Sequence, residues 1–422
     1  MIPKAMHPLD RVLESFERAL ETSPADFTEL VWFESRRRRA GSSHVGTDPE
    51  TRPTRRERCT LIRVVEGGRC GRFRSDCLDV HQLTEGIRQA MAQARVAPVE
   101  AAETPGTPEP GPDLPREALF DTRLARLRPR DGLERVTDLA DPDTAVAFEW
   151  SEGRLLVVNS SGLSSRARVT GARLTARNGR GLGQGVGLAA GRTLEDLDAL
   201  GLIELARQRR VGEALGEEAP AGAPVVLSPE AVAALFTEIA ACIFQSGLRQ
   251  AARDSGDLAQ ALGFSPLLHL ADDPRDLAGM PFPFDLRGRP PQRVSLIDAG
   301  RLSHLPAVGE AAADDERLPG HLVLGAGTAS EEELLAAAEG GVWIGSLDRV
   351  DARQAGVVRG RARQRRRIAG GRLAAALPDA TWEEGLEDVL APGLELGRRV
   401  LRQSRDGVLG GATAPSLAYR LP

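Results

Sequence analysis

The chain is poor in lysine, cysteine and aromatic residues. Its 422 residues include 4 cysteines, 4 tryptophans, 1 tyrosine and 11 phenylalanines, and Lys4 is the only lysine beside many arginines. Four cysteines in a chain of this length do not make a disulfide framework. Scarce aromatic side chains disfavour the stacking platforms of single-strand nucleic-acid binders. The formal net charge of −5 also argues against a dedicated nucleic-acid binder.

Long apolar runs are missing as well. No run reaches the roughly 18 residues that a membrane-spanning helix requires. Residues 1–16 alternate charged and apolar side chains without a continuous apolar core, so we expect no signal peptide there. A reducing cytoplasm is the simplest interpretation of these patterns.

The hydropathy and turn patterns predict an α+β protein, with a small N-terminal helix-and-hairpin unit followed by a β-rich C-terminal domain. We divide the chain into an N-terminal α+β unit (1–96), a Pro- and Glu-rich linker or loop (97–115), a middle α+β region (116–219) and the β-rich C-terminal domain (220–422). The predicted helices are Leu9–Leu20, Val80–Ala94, Leu194–Ala214, Pro229–Phe244 and Glu331–Glu339, with a weaker one after Thr381. The predicted strands are Glu29–Glu34, Cys59–Val65, Cys70–Phe73, Ala145–Trp150, Arg154–Val158, Arg166–Thr175 and Pro224–Leu227. We expect residues 36–54 and the glycine-rich stretch 178–191 to form loops.

The helix that starts at Pro229 carries the most informative chemistry. Ser228 precedes it as a predicted N-cap, and the helix continues through Thr237, Glu238 and Cys242. Two histidines one turn apart on such a helix can bind zinc, while an adjacent glutamate polarises the attacking water. Here the sequence retains a glutamate but has no histidine beside it.

Further motifs follow in a specific order, although each is weak alone. Downstream of the helix come DDP (272–274), PFDLRGRP (283–290), VSLIDAGRL (294–302) and a glycine step before SEEEL (330–334), with NSSG (159–162) upstream. This series resembles the TldD/TldE (PmbA) zinc-peptidase family, over most of the chain and most clearly from Pro224 to Gly345.

The resemblance implies a TldE-like member that lacks the zinc motif. The positions of the two zinc-binding histidines of TldD correspond to Thr237 and Cys242, and the catalytic glutamate corresponds to Glu238. The further cysteine ligand of TldD has no counterpart, since no cysteine follows Cys242. We therefore predict no metal and no catalytic residue in this chain, and zinc in a TldD-like partner. The resemblance also assigns Asp285, Arg287 and His304 to the region of the peptide cavity, although Arg287 replaces a usually acidic residue.

Three functions stay open at this point. The first is a non-catalytic subunit that forms a heterodimer with a TldD-like zinc subunit, for proteolysis of unfolded peptides or removal of leader peptides. The second is a peptide-binding scaffold that assembles with itself as a homodimer. The third is an atypical stand-alone peptidase, so the status of the chain as an enzyme stays uncertain. We expect no membrane or nucleic-acid partner.

The remaining signals favour structural explanations. The stretch 185–190 fits a loose GxGxxA pattern without a βαβ unit, so we predict a mobile loop rather than a nucleotide site. Cys59, Cys70, Cys77 and His81 form no zinc knuckle, and buried free thiols are the default. The basic runs 36–39 and 361–367 are predicted to be solvated loops or surfaces that meet acidic patches of a partner.

Overall fold

The computed structural model describes residues 8–42, 44–76, 79–99, 114–244, 264–302, 320–352, 356–404 and 410–420. The chain is α+β and rich in strands, as the sequence predicted. None of the described helices is both long and apolar enough to cross a membrane.

The first half of the chain builds a six-stranded antiparallel sheet with the order β3-β2-β1-β4-β5-β6. Its elements are α1 (Pro8–Glu21), β1 (Phe27–Gly41), β2 (Glu50–Glu66), β3 (Arg69–Ser75), α2 (Val80–Val96), α3 (Arg116–Leu119), α4 (Thr122–Arg126), α5 (Pro129–Leu139), β4 (Thr144–Asn159), β5 (Ser164–Asn178), β6 (Gly185–Gly191) and α6 (Ala199–Gln208). Strands of the predicted regions 1–96 and 116–219 thus share one sheet.

The second half builds a twelve-stranded mixed sheet. Its elements are β7 (Gly212–Leu215), β8 (Val225–Leu227), α7 (Pro229–Phe244), β9 (Leu270–Asp272), β10 (Val294–Asp298), β11 (Arg301–Leu302), β12 (His321–Leu324), α8 (Glu331–Ala337), β13 (Val342–Asp351), β14 (Val357–Ala369), β15 (Arg372–Ala376), β16 (Ala380–Gly385), α9 (Leu386–Val389), β17 (Glu395–Ser404) and β18 (Gly411–Tyr419). The main path runs β11-β10-β9-β12-β18-β8-β13-β14-β15-β7, while β16 pairs with β14 and β17 with β18.

Both halves bury apolar cores between sheet and helices. One face of the first sheet packs against α1 and α2 near Leu30, and against α5 and α6 near Phe148. Phe282 and Phe284 cover part of the opposite face, where they contact Val157. The core of the second half surrounds the inner face of α7. Burial of these apolar faces, at roughly 25 cal/mol per Å², is the main stabilising term.

The predicted loop at residues 36–54 is wrong at both ends. β1 continues to Gly41 and β2 starts at Glu50, with Arg39 opposite Glu149 of β4. A strand with neighbours on both sides satisfies its backbone groups whatever its side chains are, so four consecutive arginines do not end it. The basic run 361–367 is likewise part of a strand, β14.

The glycine-rich stretch is also not a loop throughout. Residues 185–191 form β6, which pairs with β5. The glycines permit a close approach of α6, because a Cβ at Gly185 would lie 1.9 Å from the Ala206 carbonyl oxygen. The signal we assigned to a mobile loop comes from helix-on-strand packing.

Two predicted helices are shorter than expected. The helix predicted over 194–214 spans only Ala199–Gln208, starts at the N-cap Asp198 and is followed by β7. The segment after Thr381 is β16, paired with β14, and only Leu386–Val389 is helical. In both places pairing with a distant strand overrides the local helical pattern.

Candidate functional site

Helix α7 is fixed at its start by Ser228. The Ser228 hydroxyl accepts a hydrogen bond from the Ala231 backbone N–H (3.2 Å) and donates one to the Gly345 carbonyl (2.7 Å). Pro229 follows as the first helical residue, where its missing N–H costs nothing. The N-cap predicted from the sequence is therefore present, and it joins α7 to strand β13.

A cavity of about 320 Å³ lies along the outer side of α7. Helix α7 contributes one wall, and strands β13, β17 and β18 contribute the other. The lining residues are Glu230, Ala233, Ala234, Thr237, Glu238, Leu347, Arg349, Val350, Gln403, Ser404, Gly411 and Ala412. The lining therefore combines small apolar side chains with carboxylate, guanidinium, hydroxyl and amide groups.

Thr237 and Glu238, both singled out from the sequence, line this cavity. The Thr237 hydroxyl donates a hydrogen bond to the Ala233 carbonyl at 2.7 Å, one turn earlier in the helix. Both side chains are partly buried. Cys242 belongs to the same helix, but its side chain lies outside the described residues.

The donor atoms of this cavity do not fit a zinc ion. Zinc in proteins is bound mainly by histidine nitrogen and cysteine sulfur. The described lining offers only carboxylate, hydroxyl and amide oxygens, and the neutral hydroxyl of Thr237 is a poor zinc ligand. Across the part of the chain that the structure describes, no three histidine, cysteine or acidic side chains are grouped as metal ligands would be.

Glu230 is a lining residue that the sequence reasoning missed. Its carboxylate accepts hydrogen bonds from both terminal nitrogens of Arg209, at 2.7 and 3.2 Å. Arg209 also donates to the Val186 carbonyl and lies over the Trp343 ring, 5.2 Å from its centroid. Burial disfavours the charged guanidinium, but the Glu230 carboxylate outweighs this effect and raises the pKa of Arg209. The pair therefore ties α6 and β6 to the start of α7.

Arg349 and Gln403 were missed as well. Arg349 has a φ of +52°, which non-glycine residues seldom adopt, and it follows Asp348, where the β13–β14 register shifts. The bulge lies where β13 meets the cavity. No local sequence signal marks it, since the register depends on a partner strand.

Asp285 and Arg287 lie in a different place, in the turn between Phe284 and Arg289. The Asp285 carboxylate accepts hydrogen bonds from the backbone N–H groups of Arg287 (2.8 Å) and Arg289 (3.0 Å) and from Nε of Arg289 (2.8 Å). Gly288 packs its backbone against Leu163 of the first sheet and has a φ of +71°. Neither residue is in the lining of the cavity beside α7. Their role in a peptide cavity stays a prediction, and His304 lies outside the described residues.

A buried polar cluster around His321 is a further feature that the sequence did not predict. His321 is fully buried, and its Nε2 lies 3.0 Å from the Thr413 hydroxyl. Burial, together with the positive charges of Arg192 and Arg402, lowers the pKa of His321 to about 3. Arg192 is itself buried and donates hydrogen bonds to the Thr170, Met280 and Pro281 carbonyls. The cluster thus connects the first sheet to the segment before the Asp285 turn.

Comparisons with known proteins agree on the fold. Residues 220–419 match the family described as the PmbA/TldA metallopeptidase C-terminal domain. The structure of TldE from Thermococcus kodakarensis superposes with a TM-score of 0.74 at 18% identity, covering 96% of this chain and 99% of that one. No curated protein matches the chain.

Two further crystal structures are similar, each of a putative modulator of DNA gyrase. The protein from Bacteroides thetaiotaomicron has a TM-score of 0.71 at 17% identity, with 98% of this chain and 97% of that chain covered. The protein from Thermotoga maritima has a TM-score of 0.69 at 17% identity, with 97% and 99% covered. These similarities extend over the whole length of the chain, and at such identities they concern the fold.

Proposed function

We propose, from the match of residues 220–419 to the PmbA/TldA metallopeptidase C-terminal domain family, that this chain is a TldE-like subunit without a zinc centre of its own. In this proposal it forms a heterodimer with a TldD-like subunit that carries the zinc, and it helps to hold an unfolded peptide for cleavage. Proteolysis of unfolded peptides and removal of leader peptides are the two processes that such a complex would serve.

The observation that carries the proposal is the composition of the cavity beside α7. The family places its metal on this helix, whereas Thr237 stands at the first ligand position and hydrogen-bonds within the helix. The cavity nevertheless persists, with Glu238 on its wall. A chain that keeps the cavity but has oxygen donors in place of histidine is suited to contact a peptide rather than to activate water.

The volume and lining of the cavity support a peptide ligand. A space of about 320 Å³ accommodates one or two residues of an extended chain. Carboxylate, guanidinium and amide groups at its wall can accept from and donate to a peptide backbone, and Ala233, Ala234 and Ala412 leave room beside them.

The proposal is tested by co-expression with a TldD-like chain, encoded in the same genome, that has an intact zinc helix. We expect a stable heterodimer whose hydrolysis of a casein-derived unfolded peptide exceeds that of either chain alone. Ala234→Trp, which fills the cavity from α7, is expected to raise KM for the peptide while the heterodimer still forms. Ala336→Trp, on the exposed side of α8, is the matched control.

Three results would contradict the proposal. One is the absence of a complex between the two purified chains at micromolar concentration. Another is a partner that cleaves peptides equally well without this chain. The third is stoichiometric zinc in this chain alone together with peptidase activity, which would favour the stand-alone enzyme. A self-assembled homodimer that binds peptide without any partner would favour the scaffold.

A further inference from the structure

Two side chains with nitrogen donors line the cavity beside α7 and are not used by the fold. Among the described residues, Arg349 makes no hydrogen bond and no ion pair. The Nε2 atom of Gln403 is buried, and no acceptor for it is found in the same part of the chain. Arg209 and Arg366, in contrast, bind a carboxylate and backbone carbonyls. A buried donor without an acceptor is unfavourable, so a ligand that supplies acceptors here would stabilise the site.

The other polar groups of the lining are already engaged. The two carboxylate oxygens of Glu230 accept hydrogen bonds from Arg209. Glu238 also interacts within the chain. The Thr237 hydroxyl donates its proton to the Ala233 carbonyl. The unused hydrogen-bonding capacity of the cavity wall thus lies with its donors, and the matching ligand group is an acceptor.

The backbone holds Arg349 at the cavity wall in an unfavourable conformation. Its φ of +52° lies in the left-handed region, which costs free energy for a residue with a side chain. The residue lies between Asp348 and Asp351, where the register of β13 with β14 shifts. An extra residue in one strand re-aims the side chains beside it. Backbone strain of this kind is concentrated at functional sites, which favours a role for Arg349 beyond packing.

The chemistry of these donors favours a carboxylate. A guanidinium group is planar and binds a carboxylate through two parallel hydrogen bonds. The amide of Gln403 can donate to a carboxylate oxygen or to a neighbouring peptide carbonyl. Glu230 and Glu238 place negative charge in the same lining. That charge disfavours a doubly charged phosphate more than a singly charged carboxylate.

The size of the cavity favours the end of a peptide over its middle. A volume of about 320 Å³ holds one or two residues of an extended chain. Leu347 and Val350 offer apolar contact to the last side chain, and Ala233 and Ala234 leave room for it. The C-terminal residue of a peptide carries both an apolar side chain, where it has one, and a free carboxylate.

We propose that Arg349 and Gln403 form a subsite for a peptide carboxylate in the cavity beside α7. The C-terminal carboxylate is one source of this group, and the side chain of an acidic residue is the other. The subsite rests on the proposed function, because it specifies which part of a peptide the cavity holds.

The test measures binding of the purified full chain to three fluorescein-labelled peptides of six residues by fluorescence anisotropy at physiological salt. The first contains glycine and serine, ends in leucine and has a free carboxylate. The second is the same peptide with a C-terminal amide, and the third is amidated with glutamate as its last residue. We expect the free acid to bind about tenfold or more tightly than the leucine amide, because it forms a charge-assisted bidentate pair. The affinity of the glutamate amide distinguishes the two sources of the carboxylate.

Variants assign the effect to the two donors. Arg349→Gln should weaken binding of the free acid about tenfold and leave the leucine amide within about twofold. Gln403→Leu, which keeps the size of the side chain, should weaken the free acid severalfold. Arg88→Gln removes an exposed charge from α2 and is the matched control, with a Kd within about twofold of wild type.

Three outcomes would overturn the subsite. These are equal affinity for the free acid and both amides, equal losses in Arg349→Gln and Arg88→Gln, and no binding of any peptide at millimolar concentration.

Failure of the subsite can be told apart from failure of the proposed function. If all three peptides bind equally and Ala234→Trp abolishes their binding, the peptide cavity stands and the carboxylate subsite falls. If no heterodimer forms, but the free acid binds through Arg349, the subsite stands and the proposed role as a subunit falls.

Discussion

Two arginine-rich parts of the molecule differ in how the chain compensates their charge. On β14, the outward row Arg359, Arg361, Arg363, Arg365 and Arg367 meets acidic side chains or backbone carbonyls of the same chain. Arg363 lies 2.5 Å from Asp348, Arg359 lies 3.0 Å from Glu383, and Arg365 binds Glu218 with two contacts of 2.7 Å. On the first sheet, Arg39 lies 3.4 Å from Glu149, and Glu149 also acts on Arg173 and Arg177 of β5.

The comparison shows that an arginine run alone does not indicate a binding surface. The row on β14 faces acids from β13, β16 and nearby loops, so its charges stabilise the contacts of β14 with these neighbours. On the first sheet, desolvation and the charges of neighbouring arginines lower the pKa of Arg173 and of Arg177 despite Glu149. The predictions below test how completely the fold compensates its arginines, starting with those it buries.

The largest effect is expected at His321, beside the buried Arg192 and the partly buried Arg402. Its pKa in the folded protein is about 3, below the usual value of 6.5, so the folded state binds fewer protons than the unfolded state. Stability is therefore full above about pH 6.5 and is lost as the pH falls toward 3, by up to about 4–5 kcal/mol. His321→Gln keeps a hydrogen-bond donor for Thr413. The free energy of unfolding of this variant, measured by chemical denaturation, should therefore vary little between about pH 3 and pH 6.5.

His81→Asn, on the surface of α2, is the matched control and should leave the pH dependence in place. If NMR shows that the pKa of His321 in the wild-type protein is near 6.5, the positive charges of Arg192 and Arg402 do not act on it. These two arginines are then compensated as fully as the arginines on β14.

The next effect concerns the buried Arg209–Glu230 pair. Glu230→Gln leaves the guanidinium buried without its counter-charge, and we expect a loss of about 3 kcal/mol in the free energy of unfolding. Urea denaturation at pH 7 measures it. Glu332→Gln on the exposed side of α8 should change stability by less than about 0.5 kcal/mol. Equal losses of stability in the two variants would show that the Arg209–Glu230 pair contributes no more than an exposed charge does.

The sequence predicted the family resemblance, the fold class and the start of α7, because each depends on local spacing. The N-cap Ser228 is a short-range signal that the structure bears out. The structure has two more short-range features of this kind, the capping box of Ser330 with Glu333 and the glycine turn at Gly67–Gly68. Thr237 and Glu238 could be placed on the helix for the same reason. That Thr237 and Glu238 line a cavity could not be predicted, because the cavity also depends on the positions of β13, β17 and β18.

The grouping of arginines on one face of the first sheet could not be predicted, because it depends on long-range register. Four consecutive arginines have no period-two pattern, so we assigned residues 36–54 to a loop. Only the pairing of β1 with β4 and of β4 with β5 brings Arg39 and Arg173 to the same face. Glu230 was missed for a similar reason, since its partner Arg209 lies directly after helix α6, which packs on the first sheet.

A smaller effect is expected for the best-formed pair of the β14 row, Arg365 with Glu218. A double-mutant cycle with Arg365→Met and Glu218→Gln should give a coupling free energy of about 0.5–1 kcal/mol at pH 7. The hydrogen bond from Arg365 lowers the pKa of Glu218. The coupling is therefore present above the unfolded pKa and is lost as the pH falls through the folded one, below about pH 4. A coupling that persists at pH 2 would contradict an ionic origin.

The smallest effect distinguishes the two arginine-rich regions by the sign of the change in stability. Arg363→Gln on β14 removes a cation that Asp348 and Asp379 compensate, so it should destabilise the protein by a few tenths of a kcal/mol. Arg177→Gln relieves repulsion from Arg39 and Arg173 and should stabilise it by a similar amount at low salt. Thermal unfolding at low ionic strength and in 0.5 M NaCl distinguishes them, because salt screens both effects and brings the two variants toward wild type. If Arg177→Gln destabilises as much as Arg363→Gln, the charge of Arg177 is as well compensated as that of Arg363.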